Sequence, residues 1–194
     1  MDRISEINEK IDSINKGGKA VIFVVTGNNS SGKTTITLRL LKDIKFYQSI
    51  NLGLASKIIR YFRNDLIVDD LENFDGDSAS NLFKNMVDFI INSYQETGVN
   101  IVIDGVQIDT DGLHNNKRVI GGVILTVKPE KAMERGDNSK THFKRKLSKK
   151  GLKNVNYYPN EKFQLIDNNN SIEDTYCAIL NHLDRLLDIE LKYE

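Results

Sequence analysis

Residues Gly27-Asn28-Asn29-Ser30-Ser31-Gly32-Lys33-Thr34 follow the pattern G-x-x-x-x-G-K-[ST]. Each residue type has a reason to be there. Glycines allow backbone angles and close approach that a side chain would block. The loop N–H groups and the positive end of the helix that follows then face an anion. Lys33 has the reach for the terminal phosphates of a nucleoside triphosphate, and the Thr34 hydroxyl suits Mg²⁺. The context agrees: the apolar run Ala20–Val25 precedes the loop and a helix-like segment from Thr35 follows it. A glycine-rich turn before an ordinary helix explains neither the spacing nor the lysine. A nucleoside triphosphate is therefore the expected ligand, held by Gly27 through Thr35.

A second group lies well downstream. Asp104 closes the apolar strand Ile101-Val102-Ile103. A carboxylate there can hold Mg²⁺ or take the proton of an acceptor hydroxyl. Transfer of a phosphoryl group also calls for cations around it and for exclusion of water. The densest basic stretch runs from Arg135 through Lys140, His142, Lys144, Arg145, Lys146, Lys149 and Lys150 to Lys153. It reads as a helical lid over about residues 135–155. Most of its lysines make a solvated face, while the planar guanidiniums of Arg135 and Arg145 suit phosphate oxygens. A smaller cluster, Ser56, Lys57, Arg60 and Arg63, follows the second strand and is placed to grip an acceptor. Helix solubility is its other reading. Asn168, Asn169 and Ser171 can line a bound base or serve as turn and cap residues. The acidic run Asp65–Asp77 reads as a solvated loop.

Composition narrows the class. Lys and Arg number 27, as do Asp and Glu, so net charge favours neither nucleic acid nor a membrane surface. The single cysteine, Cys177, excludes an intrachain disulfide framework, suits a reducing, cytoplasmic setting and is expected as a small core residue. His114, His142 and His182 are scattered and make no metal cage. No apolar run approaches a membrane span, and the charged N-terminus is unlike a signal peptide. A switch GTPase is disfavoured, because neither Asn116-Lys117-Arg118-Val119 nor Val127-Lys128-Pro129-Glu130 makes a guanine-reading N/T-K-x-D. A motor or helicase would need more chain and more nucleic-acid-facing charge.

The elements that position these residues alternate. A length of 194 residues suits one α/β domain. Ile4, Ile7, Ile11 and Ile14 predict an amphipathic N-terminal helix within residues 1–17, suited either to a homodimer contact or to covering the sheet. Strands are expected at Ala20–Val25, Ser49–Leu54, Val99–Ile103, Val119–Val127 and Phe163–Ile166. Helices are expected at Thr35–Ile44, at Ser56–Arg63 (or a turn), and at Ser78–Thr97 with Leu82, Met86, Phe89, Ile90 and Tyr94 on one face. Further helices are expected from Pro129, over Ser139–Lys150, and from Ile172 behind a Ser171 cap. Strands alternating with helices give a parallel sheet between two helical layers. Ligands bind such sheets outside the carboxyl ends of the strands. The phosphate loop, Ser56–Arg63, Asp104-Gly105 and Asp167–Asn170 all fall there and should converge.

Taken together, Ala20 to about Leu183 resembles the P-loop kinases of small metabolites and nucleotides. Within them it is similar to the 2-phosphoglycerate kinase group. Asp104-Gly105-Val106 is similar to that group's Glu-Gly-Val-His, His142-Phe143-Lys144-Arg145 to its His…Arg-Phe stretch, and Ile166-Asp167-Asn168 to the approach to its last helix. Gln107 stands where the group has His, and Leu54–Arg60 lacks its Thr-Asp pair. The resemblance implies a P-loop NTPase fold, three layers α/β/α, with a five-stranded parallel sheet of order 2-3-1-4-5. It also implies ATP with Mg²⁺, a mobile lid, and a small-molecule acceptor such as a phosphorylated three-carbon acid. A nucleoside, nucleotide or polynucleotide kinase, and a non-catalytic ATP sensor, stay open as alternatives.

Overall fold

The structure is a computed structural model that describes residues 2–28, 30–52, 54, 76–105, 108, 110–137 and 159–193. Its centre is a sheet of parallel strands, β1 (Ile22–Gly27), β2 (Gln48–Asn51), β3 (Ile101–Gly105), β4 (Gly121–Thr126) and β5 (Phe163–Asp167), in the order β2-β3-β1-β4-β5. The helices are α1 (Arg3–Lys16), α2 (Lys33–Asp43), α3 (Gly76–Thr97), α4 (Thr110–His114), α5 (Pro129–Asp137) and α6 (Ile172–Lys192). The expected order 2-3-1-4-5 is the observed one.

β1 shows why the layers form. All its residues are buried, and its side chains alternate between two cores. Phe23 and Val25 join the apolar faces of α1, α2 and α6, whereas Ile22 and Val24 join those of α3 and α4. A strand buried on both faces is the central strand of a parallel sheet. Each fully buried Ile, Leu or Phe contributes about 1.5–3 kcal/mol. Neither core can therefore lose its helical layer and stay folded.

The N-terminal helix covers the sheet. Ile7, Ile11 and Ile14 are buried in the same core as Leu183 and Leu187 of α6. Lys10 pairs with Asp184 at 2.7 Å and Asp188 at 2.6 Å along the outer seam of these two helices. The apolar face of α1 is thus occupied within the chain. α1 stops at Gly17 and Gly18, the latter at φ +80°. The Ser171 hydroxyl accepts the Asp174 N–H at 3.0 Å, so the expected cap of α6 is present.

Some expectations change. Cys177 is exposed rather than in the core, because the buried stripe of α6 runs through Tyr176, Ile179, Leu180 and Leu183. Residue 177 lies two positions from Ile179, on the far side of a 3.6-residue helix. Phe89 is exposed for the same reason: α3 buries Val87 and Ile91, with Met86, Ile90 and Tyr94 beside them. Leu82 lies outside the described side chains. β2 ends at Asn51, earlier than expected, and Leu52 and Leu54 are already helical. The short helix α4 was not legible in the Asp109-Thr110-Asp111-Gly112 stretch. The helices expected over Ser56–Arg63 and Ser139–Lys150 lie outside the described residues.

Candidate active site

β1 ends at Gly27 and α2 starts at Lys33, so the G-x-x-x-x-G-K-T segment is the whole connection between them. Two glycines make its path feasible. Gly27 has φ +139°, and a Cβ there would lie 2.1 Å from the Leu125 carbonyl oxygen of β4. Gly32, at φ +89°, is the residue before α2, and a Cβ there would lie 2.5 Å from the Asn168 side chain. The first turn of α2 holds no acidic residue. Its free N–H groups and positive dipole end are therefore available to an anion. Ser31 is fully buried, while Thr34 and Thr35 are exposed at that turn. Asn28 and Ser30 are half-buried, and Asn29 lies outside the described residues.

Lys33 folds back over the loop. Its Nζ donates to the carbonyls of Gly27 at 3.0 Å and Asn28 at 2.5 Å, with Ser31 Oγ at 3.4 Å. Burial pushes its pKa down to about 8, partly offset by the negative charge of Asp104. An ammonium whose hydrogen-bond partners are all neutral oxygens is incompletely compensated by the nearby Asp104 charge, and an anionic phosphate is a ligand that would complete it.

Asp104 reaches the same place through the sheet. It pairs in register with Val25 of β1 and Asn51 of β2, one residue short of the loop. It is 3 % exposed. Burial raises its pKa, and the Asn51 hydrogen bond and the Lys33 charge act against that rise. Asn51 Nδ2 donates to Asp104 Oδ2 at 3.0 Å. Sequence reasoning missed Asn51. The signal that could have found it is the end of a short strand whose register partner is unknown until the sheet is built.

The β5–α6 turn closes the other side. Asn168 is 2 % exposed, donates from Nδ2 to the Ser31 carbonyl at 2.7 Å, and accepts from Thr175 Oγ1 at 2.9 Å. It grips the loop backbone itself, a contact the sequence did not suggest. Asn169 holds the approach to α5, accepting the Lys128 N–H at 2.9 Å. Arg135 of α5 donates from Nη2 to the Asn168 carbonyl at 2.9 Å. Its Nη1 is buried and unpartnered, and it lies 3.9 Å from where a Gly32 Cβ would be. Thus β1, β3, β5, α2 and α5 bring Lys33, Asp104, Asn168 and Arg135 around one loop. Arg145 of the expected lid and Ser56, Lys57 and Arg60 of the expected acceptor segment lie outside the described residues.

Among the described residues, the buried side-chain polar atoms without a partner are Thr26 Oγ1, Asn28 Oδ1, Thr37 Oγ1 and Arg135 Nη1. All sit in the loop, on its flanks or on its neighbours. Unmet buried polar groups are costly and rare, and their gathering here fits a polar ligand. No group of three His, Cys, Asp or Glu able to cage a metal occurs among the described residues. Mg²⁺ keeps its waters and takes one or two protein oxygens beside phosphate, and the Thr34 hydroxyl and Asp104 carboxylate are of the type that could supply them.

No family model matches the sequence. No curated protein matches it either. Solved structures do match. A sugar kinase from Janibacter sp. HTCC2649 superposes with a TM-score of 0.59 at 16 % identity, covering 85 % of this chain and 95 % of that one. A gluconokinase from Sinorhizobium meliloti 1021 gives 0.59 at 14 % identity, with 91 % and 98 % covered. Shikimate kinase from Bacteroides thetaiotaomicron gives 0.56 at 15 % identity, with 87 % and 98 % covered. The chain has the fold of the P-loop small-molecule kinases. In this kinase fold the phosphate loop, the end of β3 and the β5–α6 turn meet at one end of the sheet. No described helix is long and apolar enough to cross a membrane.

Proposed function

We propose that the protein is an ATP-dependent phosphotransferase acting on a small-molecule acceptor, with Mg²⁺. One observation carries this reading: a lysine whose pKa burial lowers, a buried carboxylate within its field and an unpartnered buried guanidinium nitrogen gather at the same loop. A nucleotide-binding module needs the lysine and the loop. The added carboxylate and guanidinium suit charge that moves from donor to acceptor.

In this reading the loop N–H groups and Lys33 hold the triphosphate in line, and Thr34 and Asp104 would hold Mg²⁺, which would supply charge neutralisation to the phosphates. Asp104 is also the candidate to receive the acceptor hydroxyl proton, since burial raises its pKa towards that task. Arg135, anchored by one nitrogen on Asn168, presents the other to the migrating phosphoryl. Arg145 would join it from the lid, while Ser56, Lys57 and Arg60 would grip the acceptor. The acceptor we propose is a small anionic hydroxy compound, with a phosphorylated three-carbon acid such as 2-phosphoglycerate as the specific candidate. The test is an ATP-consumption screen with Mg²⁺ against phosphorylated three-carbon acids, nucleosides, nucleotides, sugars, gluconate and shikimate. Turnover with one class and its loss in Lys33→Ala is the expected result. Tight ATP binding with no turnover on any acceptor would overturn the enzyme reading.

A further inference from the structure

Asn51 is the last residue of β2 and the register partner of Asp104. Its side chain makes two bonds in opposite directions. Nδ2 donates to Asp104 Oδ2 at 3.0 Å. Oδ1 accepts the Leu54 N–H at 2.8 Å, three residues on, which is the N-cap bond of the helical turn after β2. An amide that spends its oxygen on a cap cannot rotate freely, so its NH₂ is aimed. We infer that Asn51 is a positioning residue that locks the Asp104 carboxylate in the orientation that receives Mg²⁺, using the backbone turn after β2 as its brace.

The residue type matters. Serine or threonine would cap the turn equally well but would not span to β3. Aspartate would cap it and would set a second carboxylate against Asp104. Only a carboxamide makes both bonds, and a charge-assisted bond to a carboxylate is the stronger kind. Facing partners of ligating carboxylates commonly tune metal affinity by 10–100-fold or so.

The inference rests on Asp104 as the magnesium-holding carboxylate, and the experiment separates the two. ATP is titrated calorimetrically into the full chain with and without Mg²⁺, for wild type, Asn51→Ser and Asn51→Asp. Wild type is expected to gain affinity from Mg²⁺. Asn51→Ser should keep metal-free ATP affinity, because Lys33 and the loop are untouched, and lose about tenfold of the Mg²⁺ contribution. Asn51→Asp should melt lower without divalent cation and recover on adding Mg²⁺, since the cation relieves two facing carboxylates. A Mg²⁺ contribution in Asn51→Ser equal to wild type would reduce Asn51 to a helix cap and overturn the inference. A wild-type chain indifferent to Mg²⁺ would overturn the reading of Asp104 and this inference with it. One readout needs no ligand: Asp104→Ala should speed amide exchange at Leu54 about threefold or more, if the two bonds form one brace. Unchanged exchange there would also overturn it.

Discussion

The two ends of the sheet treat buried polar groups in opposite ways. At the amino end, Asn100 is fully buried and fully bonded. Its oxygen accepts from the Val21 N–H at 2.8 Å and Asn15 Nδ2 at 2.9 Å. Its nitrogen donates to the Lys45 carbonyl at 3.0 Å and to Asn15 Oδ1 at 2.9 Å. Gln95 closes the same end, bonding both the N–H and the carbonyl of Ala20 and the carbonyl of Arg118. At the carboxyl end, Thr26, Asn28, Thr37 and Arg135 keep buried polar atoms without a protein partner. A satisfied network stiffens the fold. Unsatisfied polar atoms and a poorly compensated lysine raise the folded state's energy unless a ligand completes them. The contrast teaches where to look for function: at the end where the hydrogen-bond inventory does not close.

Substitutions can break this contrast, and the largest effect belongs at the open end. Lys33→Ala should lower phosphoryl transfer about 1,000-fold, the scale for removing a preorganised charge-stabilising donor. The chain should unfold no more easily than wild type, as judged by urea titration followed by circular dichroism. If anything it should be more stable, since a buried ammonium is removed.

At the closed end the effect should fall on stability alone. Asn100→Ala removes the acceptor of the Val21 N–H and the donor to Asn15 Oδ1 and the Lys45 carbonyl, and should cost about 2 kcal/mol in urea unfolding. ATP affinity by calorimetry should not change. An equal loss of ATP affinity would mean that the two ends are not independent.

Asn168 sharpens the comparison, because it is a satisfied residue at the open end. Asn168→Ala removes the brace on the Ser31 carbonyl and one of the two acceptors facing the Thr175 hydroxyl. It should cost about 1 kcal/mol of stability and weaken ATP binding severalfold, both measurable on one preparation. A change in stability alone would place it with Asn100.

Two smaller effects follow from protons. Lys33 has a pKa of about 8 in the folded chain. From pH 8 upward the folded chain sheds a proton that the unfolded chain keeps, so this group adds stability as pH rises towards its ordinary 10.5. Bound triphosphate should restore the charge. Calorimetry at pH 8 in buffers of different ionisation enthalpy should show uptake of roughly half a proton per ATP, contributed by the protein. No uptake would mean that Lys33 is already compensated. At the closed end, His182 Nε2–H donates to the Lys162 carbonyl at 3.1 Å and Nδ1 accepts from Arg185 at 3.2 Å. Burial pushes its pKa below 6.5. The unfolded chain therefore binds a proton first as pH falls through 6.5, and stability should decline there. His182→Gln should flatten that part of the pH–stability curve.

The chemistry written contiguously was legible in advance. The loop Gly27–Thr34, the apolar strands beside it and the Ser171 cap are local patterns whose geometry follows from a few adjacent residues. The order of strands followed from the resemblance alone, and strand–helix alternation gave only the parallel sheet between helical layers. Helix faces were less legible. Phe89, expected on the apolar face with Met86, Ile90 and Tyr94, and Cys177, expected in the core, are both exposed, since in a 3.6-residue repeat a shift of two positions moves a side chain to the opposite face.

By itself the sequence determined that a G-x-x-x-x-G-K-T loop follows a buried strand and that a carboxylate ends another. It did so because each motif is complete within a short run of backbone. Only the tertiary structure decided that Asn51 braces Asp104, that Asn168 holds the Ser31 carbonyl, and that Arg135 brings a free nitrogen to the loop. Those contacts join residues 33 to 137 positions apart. They exist because parallel strands need crossovers, and crossovers return distant segments to the same end of the sheet. The register of that sheet, set by its two cores, selects which side chains meet there.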